Sequence, residues 1–368
     1  MRKILTIAAL VAVAATACNK LSDDAVKNSP VKGEETQMTF RINGANLTKA
    51  TEAGNANENT VNKVDILVFF NGGSYDGQLD AYKNFTGDGI LTGTVKATTG
   101  ARTIYAVVNS EFDLSTVETI AQLRAKVATL ASQKTVGSPD VLDNFTMIGS
   151  TDQTLVAGNN AVGINVDRIA ARVRVKKITR NFESPALAAQ SFVINEMYIS
   201  NSVTNDEYDL GYTPVVADFV SQQGVPTAAY DLWLRRAIPS AESFNTLAQG
   251  ASANIAGRAD KESFNMYTFP NTNGIVDPDP NNGTKAEFAV QDTKLVVKAT
   301  LVDKVMYYVI PLPALQANYT YDIEELVITR PGSSDPNQKT EVANVNYTIT
   351  INPWTIAPIE TETGKYVI

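Results

Sequence analysis

Two pairs of closely spaced carboxylates are the side chains whose spacing could support acid–base chemistry. Glu324 and Glu325 are adjacent within an apolar run, and Asp277 and Asp279 lie in the loop VDPDPNNG. Paired carboxyl groups can act as general acid and base. Adjacent strand residues point to opposite faces, however, so Glu324 and Glu325 would converge only at a bulge. Asp277 and Asp279 alternate with prolines, which is typical of an exposed turn, with a calcium site as the alternative. We expect neither pair to be catalytic.

The composition removes most other site chemistry. The chain has no histidine, and Cys18 is its single cysteine. Ser–His–Asp triads, thiol–imidazole pairs, His or Cys metal sites and disulfides within the chain are therefore excluded. No glycine-rich loop follows a strand and opens a helix, as a phosphate-binding loop would. The sequence predicts a protein that is not an enzyme and that has no cofactor and no metal site.

Cys18 offers a different chemistry, that of lipid attachment. Arg2 and Lys3 precede an apolar segment, Ile4 to Ala15, that is too short to span a bilayer and is typical of an export signal. Small residues ending at a cysteine resemble a bacterial lipobox. Residues 1–17 are predicted to be a lipoprotein signal peptide, and Cys18 to become the mature N-terminus. Acyl chains such as palmitate on Cys18 would tie the protein to a membrane.

Charge and length limit the partners and the architecture. The formal net charge of −8 becomes −10 once Arg2 and Lys3 leave with the signal. An acidic protein is a poor ligand for nucleic acid or for an anionic membrane surface. A chain of 368 residues favours two domains, and without disulfides each needs a hydrophobic core.

The elements that must position any site are mainly β-strands. Met38, Phe40 and Ile42 alternate with polar residues, which is the strand period. Similar runs recur along the chain, the first at Val64–Phe70 and the last at Val342–Ile351. No strand is predicted between Phe70 and Arg102. A hairpin with Asp303 and Lys304 between its strands is expected over residues 294–310. A shift in the alternation at Glu324 and Glu325 predicts a β-bulge.

One helix is predicted in this β-rich chain. Apolar residues recur at three- and four-residue steps, and Ser115 with Glu118 matches a capping box at the start. The apolar residues are Val117, Ile120, Leu123, Val127 and Leu130. The pattern favours one short helix packed on the first domain.

These elements divide the chain into consecutive regions. After the signal peptide, polar residues 18–36 are expected to form a tether, and residues 37–166 an N-terminal β-sandwich domain. Residues 167–352 are expected to form a second β-sandwich domain, followed by a tail over residues 353–368. The fold class is all-β.

The first predicted strand is followed by a segment suited to proteolysis. The sequence GANLTKATEAGNANENTVN has no apolar anchor and contains Lys49, before Ala50. Exposed polar loops are where proteases cut. Cleavage after Lys49 would detach the lipid, the tether and a strand at a sheet edge together. The loss of Met38, Phe40 and Ile42 would bare an apolar groove that a neighbour's strand could fill.

The C-terminal tail is unusually apolar. Residues 344–352 alternate as a strand, and apolar side chains continue beyond them: Trp354, Ile356, Ile359, Tyr366 and Ile368. Such a tail needs a place to bury them. It could fold back on its own domain or insert into another subunit as a donor strand.

Several patches in the order found here resemble the fimbrillin family, the subunits of type V pili in Bacteroidales. They are the lipobox, KVDILVFFNGG at Lys63, RTIYAVVNS at Arg102, DRIAARVRVKKI at Asp167, SFNMYTFPNTN at Ser263, NYTYDIEELVITRPG at Asn318 and NYTITINPWTIAP at Asn346. The resemblance implies two transthyretin-like β-sandwich domains in tandem. It also implies export as an outer-membrane lipoprotein, removal of the first strand by an arginine-specific protease, and polymerisation by strand exchange into a cell-surface fimbrium that supports adhesion.

The resemblance also implies partners. They are other copies of the chain or related pilin subunits, a maturation protease and a host surface. Where the family commonly has arginine at the cut, this chain has Lys49. An uncut, lipid-anchored fimbrial subunit is therefore an alternative. A monomeric surface lipoprotein that binds a host glycan or protein is another, with Tyr208, Tyr212, Tyr230 and Trp233 as its candidate aromatic platform.

Overall fold

The computed structural model describes residues 32–44, 57–87, 90–133, 142, 144–209, 219–220, 235–237, 245–255, 265–271, 292–336 and 344–353. Strands dominate these residues, and the helices among them are short. The prediction of an all-β fold with sandwich-like sheets is confirmed.

The first half of the chain forms one seven-stranded sheet in the order β3-β2-β5-β7-β8-β1-β4. Its strands, together with the separate β6, are β1 Glu35–Gly44, β2 Lys63–Phe70, β3 Leu79–Thr86, β4 Thr92–Thr98, β5 Gly100–Val108, β6 Val127–Thr129, β7 Met147–Leu155 and β8 Asn159–Arg168. Phe85 lies on β3, at one end of this order, and Phe40 lies on β1, next to the other end, yet their ring centroids are 4.8 Å apart. The sheet therefore folds over on itself and encloses an apolar core.

The second half forms two larger sheets. Its strands are β9 Ala171–Val175, β10 Lys177–Arg180, β11 Phe192–Ser200, β12 Ser202–Val203, β13 Asn205–Glu207, β14 Phe219–Val220, β15 Arg235–Ala237, β16 Ser252–Asn254, β17 Asn265–Thr268, β18 Lys294–Leu301, β19 Lys304–Pro311, β20 Tyr319–Ile328 and β21 Val345–Pro353. One sheet has the order β16-β10-β20-β9-β17 with β21 on β20, and the other has the order β15-β11-β18-β19. The Arg180 guanidinium of the first sheet lies 5.6 Å from the Phe192 ring centroid of the second.

Strand pairing changes partners between Arg168 and Ala171. In chain order, β8 is the final strand that joins the seven-stranded sheet, and the next strand, β9, pairs with strands of the second half. One short pair crosses this position, since β6 pairs with β13.

Two local details of the β-strands follow from the sequence. β18 and β19 form the predicted hairpin, but its turn residues are Val302 and Asp303, with φ of 47° and 62°, one position earlier than expected. The register of β20 against β21 shifts between Ile323 and Glu325, which confirms the predicted bulge.

The predicted helix is present but much shorter than its apolar pattern. α1 spans Ile120–Arg124, and its N-cap is Thr119, whose hydroxyl accepts from the Gln122 amide at 3.2 Å. The capping box of Ser115 and Glu118 is therefore wrong. Residues 127–129 leave the helical pattern because they pair with β13, a partner distant in sequence. A second helix, α2 Pro185–Ala188, is not predicted by the sequence pattern.

Candidate functional site: the position of the first strand

β1 buries one face completely and exposes the other. Met38 and Phe40 are 0% exposed and Ile42 is 8% exposed, while Thr39 and Arg41 point to solvent. The strand period of two brings the three apolar side chains together in the core.

β1 is an interior strand of its sheet, so the expectation of an edge strand is wrong. It pairs antiparallel with β4, from Glu35 opposite Thr98 to Arg41 opposite Thr92. On its other side it pairs parallel with β8, from Gln37 opposite Asn159. β4 covers the outer edge but is largely polar (TGTVKAT), so its sequence gives little strand signal. Loss of β1 would leave two hydrogen-bonding strand edges unpaired and not one.

The centre of the β1 position is shaped by a glycine. Gly93 of β4 stands opposite Phe40 in the register. A Cβ at Gly93 would lie 2.4 Å from Phe85 Cε1 and 2.9 Å from Phe40 Cε1. The absence of a side chain at Gly93 thus makes room for both rings.

The start of β1 is held by a buried ion pair. Arg102 Nε donates to Asp80 Oδ2 at 2.9 Å, and both side chains are almost fully buried. Arg102 Nη2 also donates to the Lys32 carbonyl at 3.2 Å and to the Thr99 carbonyl at 3.0 Å. The Arg102 guanidinium stacks over the Phe70 ring at 4.2 Å. These contacts fix the backbone that leads into β1.

The chain beyond β1 re-enters the described structure at the boundary between the two halves. Glu58 lies in a 3-10 turn, Asn57–Asn59, and is 2% exposed. Its carboxylate accepts from Arg172 Nη1 at 2.7 Å, from the Tyr267 hydroxyl at 2.7 Å and from Asn265 Nδ2 at 3.2 Å. All three partners lie in the second half.

Arg168 completes this junction cluster, defined as Glu58, Arg168, Arg172, Asn265 and Tyr267. Arg168 Nε and Nη2 donate to the Glu58 carbonyl at 3.2 and 3.1 Å, and Nη2 also donates to Asn59 Oδ1. Burial lowers the pKa of Arg168 to about 10, although the Glu58 charge opposes the shift. Burial and the Glu58 carboxylate raise the pKa of Tyr267 well above its usual value. The cluster is a structural charge network that the sequence pattern did not indicate.

A second contact joins the two halves through Tyr208. Its amide donates to the Lys126 carbonyl at 2.8 Å, and its hydroxyl donates to Ser110 Oγ at 3.1 Å. The Phe112 and Tyr208 rings meet edge to face, with centroids 5.6 Å apart. Tyr208 is 1% exposed and therefore does not belong to a surface aromatic platform. Tyr212, Tyr230 and Trp233 lie outside the described residues.

The C-terminal strand pairs with its own domain. β21 runs antiparallel to β20 from Tyr319 opposite Pro353 to Ile328 opposite Val345. Within the described chain β21 pairs only with β20, so its other edge is open there. Only Val345 of β21 is fully buried, and Ile351 is 48% exposed. The predicted donor residues lie beyond it, outside the described residues: Trp354, Ile356, Ile359, Tyr366 and Ile368.

The candidate acid–base pair is engaged in ion pairs. Glu324 binds Lys176 at 3.2 Å, and Glu325 binds Lys177 at 2.8 Å. Hydrogen bonds from Lys177 and from Thr179, whose hydroxyl donates at 2.6 Å, lower the pKa of Glu325, which is the wrong direction for a general acid. Asp277 and Asp279 lie outside the described residues.

The described residues contain neither a cluster of metal ligands nor a helix that could span a membrane. No group of three or more His, Cys, Asp or Glu side chains there could hold a metal ion. In the same part of the chain, no helix has the length and apolar character needed to cross a bilayer. Cys18, Lys49 and Ala50 lie outside the described residues, so lipidation and cleavage stay predictions.

The comparisons with known proteins bear on the strands just described. The family model described as major fimbrial subunit protein (FimA) matches residues 36–190, from β1 through α2. Residues 36–190 belong to the fimbrillin family. The resemblance carried by the sequence patches is thereby confirmed.

Solved structures share the fold over most of the chain. A fimbrilin from Porphyromonas gingivalis matches with a TM-score of 0.60 at 17% identity, over 89% of this chain and 100% of its own. A candidate cell adhesion protein from Bacteroides eggerthii matches with a TM-score of 0.59 at 18% identity, over 88% of this chain and 98% of its own. A candidate cell adhesion protein from Parabacteroides distasonis matches with a TM-score of 0.56 at 18% identity, over 90% of this chain and 100% of its own. No curated protein sequence matches this chain.

The family match over residues 36–190 implies a coarse role. Proteins of this family are fimbrial subunits, so the family implies a place in a cell-surface fimbrium and assembly with other fimbrial subunits. It suggests a structural and not an enzymatic role.

Proposed function

We propose that this chain is a pilus subunit that polymerises by strand exchange. In this proposal a neighbour's C-terminal tail takes the place of β1 after β1 has been removed. The observation that carries the proposal is the placement of β1 between β4 and β8. A strand removed from that position leaves a slot with hydrogen-bonding edges on both sides.

Filling the empty slot with a replacement strand would be strongly favourable, because it would bury apolar surface again. Met38, Phe40 and Ile42 are buried in the core. Their burial contributes on the order of 5–9 kcal/mol, at about 1.5–3 kcal/mol each. An alternating apolar strand from another copy would restore both this burial and the two ladders.

The donor is assigned to residues 353–368. β21 is engaged along its length with β20, so its release would break a complete ladder. The tail beyond it supplies the apolar side chains that a donor needs: Trp354, Ile356, Ile359, Tyr366 and Ile368. In this scheme residues 37–166 form the acceptor domain, and residues 167–352 carry the donor tail.

Export and activation complete the proposal. Lipid on Cys18 holds the precursor at the outer membrane, residues 18–36 act as the tether, and a protease cuts between Lys49 and Ala50. The cut releases the lipid and β1 together, and the subunit then joins the fimbrium and supports adhesion. Because position 49 is lysine, a protease restricted to arginine would leave the chain uncut. The second candidate is therefore a lipid-anchored subunit at the base of the fimbrium.

The decisive experiment treats the folded precursor with trypsin and follows it by mass spectrometry and electron microscopy. We expect a new N-terminus at Ala50 and filaments. Lys49→Ala should block both, whereas Lys27→Ala, a matched change within the tether, should block neither. Filaments formed equally well by Lys49→Ala would contradict the activation step.

A deletion tests the donor assignment. Removal of residues 353–368 should abolish elongation and leave the unfolding midpoint nearly unchanged, because it takes only the terminal residue, Pro353, from β21. Unaltered filaments would refute the donor tail. In cells, a mature protein that keeps Cys18 as its N-terminal residue would favour the anchor or the monomeric lipoprotein.

A further inference from the structure

The slot of β1 contains one position that differs from the rest. Met38 faces Val95 of β4, whereas Phe40 faces Gly93. Gly93 does not adopt a left-handed conformation, so its backbone does not require glycine. What requires glycine is space, since a Cβ there would collide with the rings of Phe40 and Phe85. Gly93 and Phe85 therefore form a notch that holds an aromatic ring.

The wall of this notch is held in place from outside. The Lys83 ammonium lies 4.9 Å from the Phe85 ring centroid. Lys83 Nζ also donates to the Thr94 carbonyl at 2.9 Å, which ties this lysine to the strand that carries Gly93. The Phe40 and Phe85 rings meet at 66°, an edge-to-face geometry that adds to burial. Loss of the Phe40 ring would leave this wall with an unfilled aromatic site.

We propose that this notch is an aromatic-selective site of the acceptor slot, and that Tyr366 of a second copy occupies it. The proposal rests on strand exchange as described above. The tail has two aromatic residues, Trp354 and Tyr366, each followed two positions later by isoleucine. Trp354 directly follows Pro353, and a proline within a strand paired on both sides would lack a required N–H donor. Residues 360–368 contain no proline, which favours Tyr366.

The notch can be tested in the intact precursor without polymerisation. Gly93→Ala should lower the urea midpoint of unfolding. In a protein that already carries Phe40→Ala, Gly93→Ala should lower the urea midpoint by less, because Phe85 can move into the space freed by the missing ring. A double-mutant cycle measures this coupling. Additive effects of the two substitutions would overturn the notch.

The occupant is tested by polymerisation of full-length variants after trypsin cleavage. Tyr366→Ala should slow elongation by about tenfold or more, which corresponds to the loss of a buried aromatic contact. Tyr366→Phe keeps the ring and should restore most of the elongation lost in Tyr366→Ala, and Trp354→Ala should slow elongation less than Tyr366→Ala does. Normal elongation by Tyr366→Ala would overturn the assignment while strand exchange stands, and a loss only with Trp354→Ala would do the same. If the unmodified, cleaved chain forms no filaments, the proposal of strand exchange is refuted, and the assignment of Tyr366 as the occupant is refuted together with it.

Discussion

Glu58 and Arg172 form a buried ion pair, 2.7 Å from Oε2 to Nη1, across the position where strand pairing changes partners. Glu58 is 2% exposed and Arg172 is 0% exposed. Glu58 thus fixes the chain that follows the predicted cut to the second half of the molecule. On the proposed mechanism β1 leaves from one side of that cut while the other side stays attached.

Glu58→Gln tests how strongly the junction cluster holds the two halves together. The change keeps the shape of the side chain but removes the buried negative charge that Glu58 places beside Arg172 and Arg168. We expect the free energy of unfolding to fall by about 3–5 kcal/mol, as for a broken buried ion pair. Urea denaturation measures it.

Glu183→Gln is the matched control. Glu183 pairs with Arg330 at 2.8 Å, but both side chains are at least half exposed. Such a pair contributes less than about 1 kcal/mol. An equal effect of the two substitutions would show that burial does not decide the strength of the junction cluster.

Met38→Ala tests the apolar content of the β1 position. Met38 is 0% exposed, so the truncation leaves a cavity and should cost about 2–5 kcal/mol in the free energy of unfolding. Thr39→Ala, on the exposed face of the same strand, should cost less than about 0.5 kcal/mol. A small decrease in the free energy of unfolding for Met38→Ala would argue that burial in the slot contributes little to the binding of a replacement strand.

Gly149→Ala tests the close approach of β7 to β8. An added Cβ would lie 1.7 Å from the Asn165 carbonyl oxygen, which is backbone and cannot turn away. Overpacking of this kind should cost about 1–3 kcal/mol or more. The matched change Gly163→Ala meets only the Asn43 amide nitrogen, at 3.2 Å, and should be close to neutral. Thermal or urea denaturation of both variants decides between these expectations.

The stability of the protein should fall steeply at alkaline pH. Burial raises the pKa of Tyr208, Tyr321 and Tyr347 to about 12. In the unfolded chain tyrosine ionises near pH 10. Above that pH the folded state keeps protons that the unfolded state loses, so the free energy of unfolding decreases as pH rises through the folded-state values.

Tyrosinate absorbance measures this effect directly. The folded protein should show little tyrosinate at these positions near pH 10, with a cooperative increase when it unfolds. Full ionisation of its 14 tyrosines in the folded state near pH 10 would contradict the expectation.

The sequence predicts the strands that bury one regular face and misses those that do not. β1 alternates cleanly, and the phase shift at Glu324 correctly indicates the bulge. β3 and β4 lie between Phe70 and Arg102 and escape notice, because β3 exposes or half-exposes every residue and β4 fully buries only Val95 and Ala97. Without β4 in view, β1 is wrongly taken as an edge strand.

The junction cluster could not be read from local patterns. Glu58 lies in a polar stretch that resembles a loop, and Arg172 lies 114 positions further along the chain. Arginines within the run DRIAARVRVKKI look like the polar face of a strand. Only the tertiary fold shows that some of them are buried and paired. A buried charge within an otherwise ordinary strand has no sequence period of its own.

The pairing of β1 also has a consequence for the order of folding. The Thr36 hydroxyl donates to the Gly158 carbonyl, 122 positions later in the chain. Contacts of such long sequence separation form slowly because the intervening chain must first be closed into a loop. The strands β2, β3, β5 and β7 pair among themselves and make no ladder with β1. Among the described strands β4 forms a ladder only with β1. We therefore expect β1 and β4 to be the last strands of this sheet to dock, so that a folding intermediate already contains β2, β3, β5 and β7 paired with one another.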